Sequence, residues 1–280
     1  GLDVADIDIA TRHAPAEVIA RLEAGGIRAV PTGIDHGTVT AVSSGTVVEV
    51  TTLRRDVSTD GRRATVAFTD DWREDAARRD FTINALYADL LTGQVYDWFG
   101  GLDDLKARRV RFIGDPYQRI AEDHLRILRF FRFHARFGET IDRDGLTACT
   151  ERANDLMALS RERIAAELLK LLVAPKAVET IALMIECGIF RPVLPEITDA
   201  AALTRLAAHE AAEAVAPDAI RRLAALIAPA DAEGVGARLK LSNNDRKRLQ
   251  AAHDGPGNEG PRALAYRVGP AIATDRLLLV

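Results

Sequence analysis

The hydrophobic pattern changes period at Asp115, and that change limits the chain to two architectures joined end to end. Before it, short β-branched runs such as Val47-Val48-Glu49-Val50-Thr51-Thr52 alternate with one helical pattern over Pro15 to Ala24, which predicts a small mixed sheet. Tyr87 to Tyr96 flanks a Thr92-Gly93 turn signal and reads as a hairpin at the edge of that sheet. After it the spacing stays helical, with Asp115 as N-cap, Pro116 at the first helical position and Gln118 closing a capping box. Gly138, Pro175, Gly188, Pro192, Pro195, Pro217, Gly234 and Gly255-Pro256-Gly257 cut this half into helices of ordinary length. Arg161 to Leu172 carries an apolar stripe suited to a bundle.

With 280 residues and 48% hydrophobic content the chain can bury a substantial core. It has no apolar run of the roughly 20 residues a membrane helix needs and no signal-peptide pattern, so a soluble, cytoplasmic protein without a membrane partner is expected. Cys149 and Cys187 stand in separate apolar helical stretches and read as buried thiols rather than a disulfide or zinc pair. The net charge of −4 excludes a uniformly basic nucleic-acid surface but not local patches. Arginines do cluster, at Arg54-Arg55, Arg62-Arg63, Arg78-Arg79, Arg108-Arg109 and along Arg126, Arg129, Arg132, Arg136. Each cluster alone is more often a solvated face than a phosphate site. Neither end reads as a natural terminus, because a charged strand begins just after Gly1 and the chain stops within Leu277-Leu278-Leu279-Val280.

Four places combine the residues chemistry needs. In Val4-Ala5-Asp6-Ile7-Asp8-Ile9 the two-residue strand period puts Asp6 and Asp8 on one face, where their repulsion calls for a cation such as Mg²⁺. Taken alone, Asp-x-Asp is more often the acidic outer face of an edge strand. Glu49 sits between Val48 and Val50, where a charge facing a buried side needs a partner and one facing solvent does not. Arg79, Asp80 and Asn84 offer a cation, an acceptor and an amide for phosphate and ribose, or a salt-bridged turn leading into a core strand. Asp123 and Arg126, three apart at the start of a helical stretch beside Glu122, share a helix face and fit an ordinary ion pair. Arg129, Arg132 and Arg136 fall opposite Ile127, Phe131 and His134, solvated or tracking an RNA backbone.

In their order these residues resemble the class II tRNA nucleotidyltransferases, the CCA-adding enzymes, together with the bacterial poly(A) polymerases. The resemblance runs over about residues 1 to 175. It comprises Asp6-Ile7-Asp8-Ile9-Ala10-Thr11, Gly33 with His36-Gly37-Thr38-Val39-Thr40, and Val48-Glu49-Val50-Thr51-Thr52. Arg78-Arg79-Asp80-Phe81-Thr82-Ile83-Asn84-Ala85-Leu86, Asp97 with Gly100-Gly101, and Asp104-Leu105 follow. Glu122-Asp123-x-x-Arg126, Arg129, Arg132-Phe133, Arg136 and the helix with Glu162-Arg163-Ile164, Glu167-Leu168 and Lys170 complete it.

The resemblance implies an α+β fold: a polymerase-beta-like nucleotidyltransferase head over 1–114, a helical neck over 115–174 and a helical body over 175–280. It implies that Asp6 and Asp8 hold catalytic Mg²⁺ with Glu49 as third acid, and that Arg79, Asp80 and Asn84 contact the nucleotide and its ribose. Gly100-Gly101 would lie in a flexible junction. Asp123 and Arg126 would read the base beside Glu122 and Arg129, with Arg132 and Arg136 toward RNA. The implied reaction adds CCA to the 3′ end of tRNA from CTP and ATP with loss of pyrophosphate. Poly(A) or A-only addition, or a non-catalytic RNA-binding fragment, are the alternatives; His124-Leu125 departs from the Glu-Asp-Pro-x-Arg common in the poly(A) enzymes. The family's Gly-Gly-x-x-Arg-Asp segment before Asp-x-Asp is not in this sequence, so a chain of this extent is expected to be weakly active or inactive, and the family's C-terminal tail also reads as truncated.

Overall fold

The computed structural model describes residues 7–59 and 64–279. The chain divides between Leu102 and Asp103 into two compact units. The first contains β1 (Asp8–Thr11), α1 (Pro15–Ala24), β2 (Arg28–Gly33), β3 (Thr38–Ser43), β4 (Thr46–Thr52), β5 (Arg54–Thr59), β6 (Ala64–Phe68), α2 (Trp72–Ala77), β7 (Tyr87–Ala88) and β8 (Val95–Tyr96).

Its main sheet has the order β1-β4-β3-β2, with β1 parallel to β4 and the other pairs antiparallel. Ser44 (φ 50°) and Gly45 (φ 82°) join β3 to β4 through a two-residue turn with both central residues left-handed, the geometry that matches strand twist. α1 keeps the predicted bounds, with Pro15 at its start where no helical N–H is lost. Its Val18 packs on Val39, Ala41 and Val50, with Ile9, Leu22 and Ile27 around them, so one face of the sheet is covered by the helix. The hairpin around Thr92-Gly93 forms, pairing Tyr87 with Tyr96. Among the described residues it is a separate two-stranded ladder and not an edge of the main sheet, a correction to the sequence expectation.

The second unit begins within α3 (Gly101–Lys106) and continues through β9 (Arg109–Val110), α4 (Pro116–Glu122), α5 (Arg126–Phe137), β10 (Thr140–Ile141), α6 (Arg143–Glu151), α7 (Arg161–Leu172) and α8 (Ala177–Glu186). Then come α9 (Ala201–Ala212), α10 (Ala219–Ala224), α11 (Ala232–Arg238), α12 (Asn243–Ala251), α13 (Pro261–Val268) and α14 (Pro270–Leu278). The division falls ahead of Gly114 because β9 pairs in parallel with β10 and lies against α5, both of which follow that glycine. α5 buries Ile127, Leu128, Phe130, Phe131 and Ala135, and Phe130 stacks on Phe112 at 5.5 Å. α7 has the predicted bounds and buries Ile164, Leu168, Leu171 and Leu172.

Charges are buried here only in company. Glu210 accepts from Arg221 Nε at 2.9 Å and Arg222 Nε at 2.8 Å. Asp275 accepts from Arg248 Nε at 2.7 Å, and a second Arg222 nitrogen reaches the Leu172 carbonyl at 2.8 Å. Removing one partner of such a group strands the other, which makes the arrangement specific more than strong. Both cysteines are free; Cys149 is buried as expected, whereas Cys187 is only half-buried. No helix among the described residues is long and apolar enough to cross a membrane.

Candidate active site

Asp8 opens β1 opposite Glu49 of β4, and Glu49 stands opposite Thr40 of β3. Register partners on neighbouring strands project from the same face, so Asp8, Glu49 and Thr40 form a row across the sheet. One residue further along each strand the row is Ile9, Val50 and Val39, which lies beneath α1. The acidic row is therefore on the face α1 leaves open. Asp8 and Glu49 are exposed, and among the described residues neither makes an ion pair, so burial is not what demands a partner for Glu49. Asp6 lies outside the described residues, and among those described no group of three His, Cys, Asp or Glu side chains is arranged to hold a metal. The donors Asp8 and Glu49 present are carboxylate oxygens, the kind Mg²⁺ takes.

Arg79, Asp80 and Asn84 come together at the turn after α2. Arg79 donates to the Asn84 carbonyl at 3.2 Å, to Asp75 at 3.3 Å and to the Tyr87 hydroxyl at 3.2 Å. Asp80 is buried and accepts from the Phe81 amide at 3.0 Å and from Asn84 Nδ2 at 2.9 Å. The centre of this network is Asp75, which the sequence reading passed over. Only 2% exposed, it accepts from the Arg54 amide at 2.9 Å, from Arg78 at 2.9 Å, from Arg79 and from the Tyr87 hydroxyl. Burial opposes its charge, but Arg78 beside it and the donated hydrogen bonds hold its carboxyl below the usual range. Burial in turn pushes the Tyr87 phenol up to about 12. Gly101 is a glycine for close approach rather than for flexibility: a Cβ there would meet the Thr82 carbonyl oxygen at 2.2 Å. Asp97 accepts from the amides of Phe99, Gly100, Gly101 and Leu102 at 2.9–3.1 Å, and these bonds outweigh desolvation to lower its pKa.

In the helical unit, Glu122-Asp123-His124-Leu125-Arg126 is not one helix. Asp115 caps α4 through the Gln118 amide at 3.0 Å, as its sequence predicts. α4 then ends at Asp123, which is extended (φ −151°, ψ 107°) and receives the Leu125 amide at 3.1 Å before α5 starts. The expected Asp123–Arg126 pair on one helix face is therefore replaced by two other pairs. Asp123 takes Arg163 of α7 at 2.8 and 3.1 Å. Arg126 is buried and donates to Glu122 at 2.6 Å and the Arg119 carbonyl at 2.8 Å, while Arg119 reaches the same Glu122 at 2.5 Å. One turn beyond Arg163, buried Glu167 takes Arg132 at 2.5 Å and lies 4.0 Å from Arg129. Arg132 thus clamps α5 to α7 rather than facing open solvent. Arg129 and Arg132 also lie over the Phe133 ring, at 5.3 and 4.3 Å. Arg136 is exposed on the last turn, over Phe137.

Residues 1–111 match the family described as the poly A polymerase head domain, and residues 139–201 one described as a probable RNA and SrmB-binding site of polymerase A. A mitochondrial CCA tRNA nucleotidyltransferase 1 of Danio rerio is 41% identical over 247 residues, 86% of this chain and 57% of that protein. A CCA-adding enzyme of Oceanobacillus iheyensis is 45% identical over 171 residues, 60% of this chain and 42% of that one. The chain belongs to the class II family of CCA-adding enzymes and poly(A) polymerases. It spans about half the length of the curated relatives it matches. Its fold follows the crystal structure of the Bacillus stearothermophilus CCA-adding enzyme in complex with CTP, with a TM-score of 0.77 and 26% identity, over 99% of this chain and 69% of that one.

Within this class II chain, Asp75 and Arg163 are among the polar residues whose part in the site is not visible in the sequence. Asp75 was hidden in Trp72-Arg73-Glu74-Asp75, an acidic helix start that reads as solvated. Arg163 lies in Glu162-Arg163-Ile164, but its contact with Asp123 spans forty positions of sequence.

Proposed function

We propose that the chain is a cytoplasmic tRNA nucleotidyltransferase that adds CCA to the tRNA 3′ end from CTP and ATP, releasing pyrophosphate. The observation that carries this reading is the Asp8–Glu49 register on the uncovered face of the sheet. In it, Asp6 and Asp8 hold Mg²⁺ with Glu49 alongside. The ion, when bound, supplies charge stabilisation to a phosphoryl group in an in-line displacement. Arg79, Asp80 and Asn84 bind the nucleotide's phosphate and ribose, their turn fixed by Asp75. Asp123 accepts from the exocyclic amino group of cytosine or adenine and Arg126 donates to the adjacent ring nitrogen, a pattern guanine and uracil do not offer. Arg163 and Glu122 hold those two side chains from behind. Arg129 supports the nucleotide and Arg136 serves the RNA backbone, while Arg132, bound to Glu167, holds α5 on α7 instead of reaching RNA.

Incubating the protein with tRNA lacking its 3′ CCA, Mg²⁺ and each nucleotide separately tests this reading. Incorporation of C followed by A is expected. A-only extension transfers the chain to the poly(A) or A-adding branch, and binding without extension makes it a non-catalytic RNA binder.

A further inference from the structure

The chain has two tryptophans and four tyrosines. Both tryptophans and two of the tyrosines gather around one pocket of the first unit, lined by Arg12, Trp72, Tyr87, Asp89, Tyr96 and Trp98. The aromatic residues of the buried cores are instead phenylalanines, such as Phe81, Phe112, Phe130 and Phe131. Rings with a polar edge are thus concentrated where one side stays wet, the placement typical of recognition surfaces. The pocket holds about 290 Å³, at the low end of the sizes that take small ligands.

Its walls are planar and fixed. Tyr96 stacks on Trp98 at 6.0 Å with ring planes 14° apart, and Tyr87 meets Trp72 edge-on at 5.4 Å. Tyr87 is immobilised from behind by its hydroxyl bond to Asp75 and by Arg79, 5.1 Å over its ring. Tyr96 is 40% exposed, which leaves it open to a further stacking partner. Arg12 lies 5.9 Å over Trp72, and among the described residues it makes no ion pair. It directly follows β1, the strand that starts with Asp8.

Aromatic planes beside a guanidinium that makes no ion pair among the described residues suit a flat, electron-poor ring joined to an anion, the chemistry of an unpaired nucleobase and its phosphate. We propose that this pocket seats one unpaired base of the RNA acceptor strand, with Arg12 on the flanking phosphate. The proposal rests on the transferase reading above, and Tyr87 ties the pocket physically to the Arg79 network.

Because both tryptophans line the pocket, intrinsic tryptophan fluorescence of the whole chain reports on it directly. Titration with a short unstructured single-stranded RNA should quench that fluorescence saturably. CTP or ATP alone should not reproduce the change. Tyr96→Ala and Arg12→Gln keep both indoles in place, and circular dichroism checks that each variant folds. Tyr96→Ala should weaken RNA binding by about fivefold to a hundredfold, the range for loss of one base–aromatic stack. Arg12→Gln should weaken it and lower the slope of log affinity against log salt by about one. Quenching by the mononucleotides with none by RNA, or RNA affinity unchanged in both folded variants, overturns the proposal. The transferase reading fails by a different result, no incorporation into tRNA, which leaves the RNA-dependent quenching and its loss in the variants as they are.

Discussion

Each unit carries a pair of carboxylates that the proposed reaction uses, and only one of the pairs meets its counter-charges within the described residues. Asp8 and Glu49 stand exposed in one row of the sheet with no ion pair among the described residues. Glu122 and Asp123 are each held by arginines of the same unit, Arg119 and Arg126 on one and Arg163 on the other. In the proposed reading the first pair takes its cation from solution. The second carries its own cations and is oriented before anything binds. On that reading the difference is between a site that takes up an ion and one that presents hydrogen bonds in a fixed direction.

The largest expected effect breaks the first half of that comparison. Asp8→Ala should cut nucleotide incorporation by on the order of a thousandfold or more, because a metal-held charge stabilises the transition state by several kcal/mol. Stability should change by no more than about 0.5 kcal/mol, since an exposed strand residue without a partner is removed. Paired assays of incorporation and thermal unfolding check both halves. Unimpaired transfer sinks the metal assignment.

Asp75→Asn should do the reverse within the same unit. Its carboxylate is buried among Arg78, Arg79 and Tyr87, so the amide leaves buried donors and cations unmatched at a cost of about 3 kcal/mol. Denaturant unfolding should show a lower midpoint. Because the Asp75 carboxyl is held below its ordinary value of 3.8, its stabilising contribution is present above that pH and is lost as pH falls through the folded value. A variant as stable as the parent would make the Asp75 network incidental.

In the second unit, Asp123→Ala and Arg126→Ala should lower C and A incorporation and narrow the gap to U and G by about tenfold to a hundredfold. That is the cost of roughly 1–3 kcal/mol for an unsatisfied polar contact. The structure separates the two variants. Asp123 and Arg163 are half-exposed, so losing Asp123 changes selectivity with little loss of stability. Arg126 is buried against Glu122, so its loss also lowers the melting temperature. Selectivity for all four nucleotides that stays at the parental level in both variants would falsify the base-reading role.

These contrasts were unevenly legible in the sequence. Elements set by local signals were read to the residue, as with Pro15 to Ala24, the Asp115 cap and Arg161 to Leu172. The Asp8–Glu49 register was not, because strand pairing over some forty positions leaves no periodic trace; only the family pattern joined the two. The break at Asp123 was hidden because the helical apolar spacing continues across it. What marks the break is Asp123 turning extended while its side chain accepts the Leu125 amide in the turn ahead of α5. The aromatic pocket is not legible in the sequence, where Tyr87 to Tyr96 shows only a hairpin, since Trp72 and Trp98 meet Tyr87 only once the chain has folded back.

The smallest expected effect concerns the order in which the two units respond to acid. His134 on α5 has a buried Nδ1 with no hydrogen-bond partner among the described residues, and its ring lies where a Cβ on Gly138 would be. Burial, aided by nearby Lys176 and opposed by Glu179, holds its pKa below 6.5, and burial does the same to His253. A folded histidine that binds protons less readily than the unfolded one makes stability rise with pH. The contribution is complete above about pH 6.5 and is lost as pH falls toward the folded value. The slope from one such group is at most about 1.4 kcal/mol per pH unit. Among the described residues of the first unit the lowered groups are the carboxylates Glu17, Asp75, Asp89 and Asp97, whose contributions are lost only below their ordinary values of 4.5 and 3.8. The helical unit should therefore weaken first on mild acidification. Tryptophan fluorescence follows the first unit, which holds both Trp72 and Trp98, while far-ultraviolet circular dichroism is dominated by the helices of the second. Melting curves from pH 7 to 5 should fall further by circular dichroism than by fluorescence, and His134→Gln should reduce that difference. Two probes that shift together in the parent, or a His134→Gln curve that keeps the parental pH dependence, would remove the histidine from the account and leave the two units titrating alike.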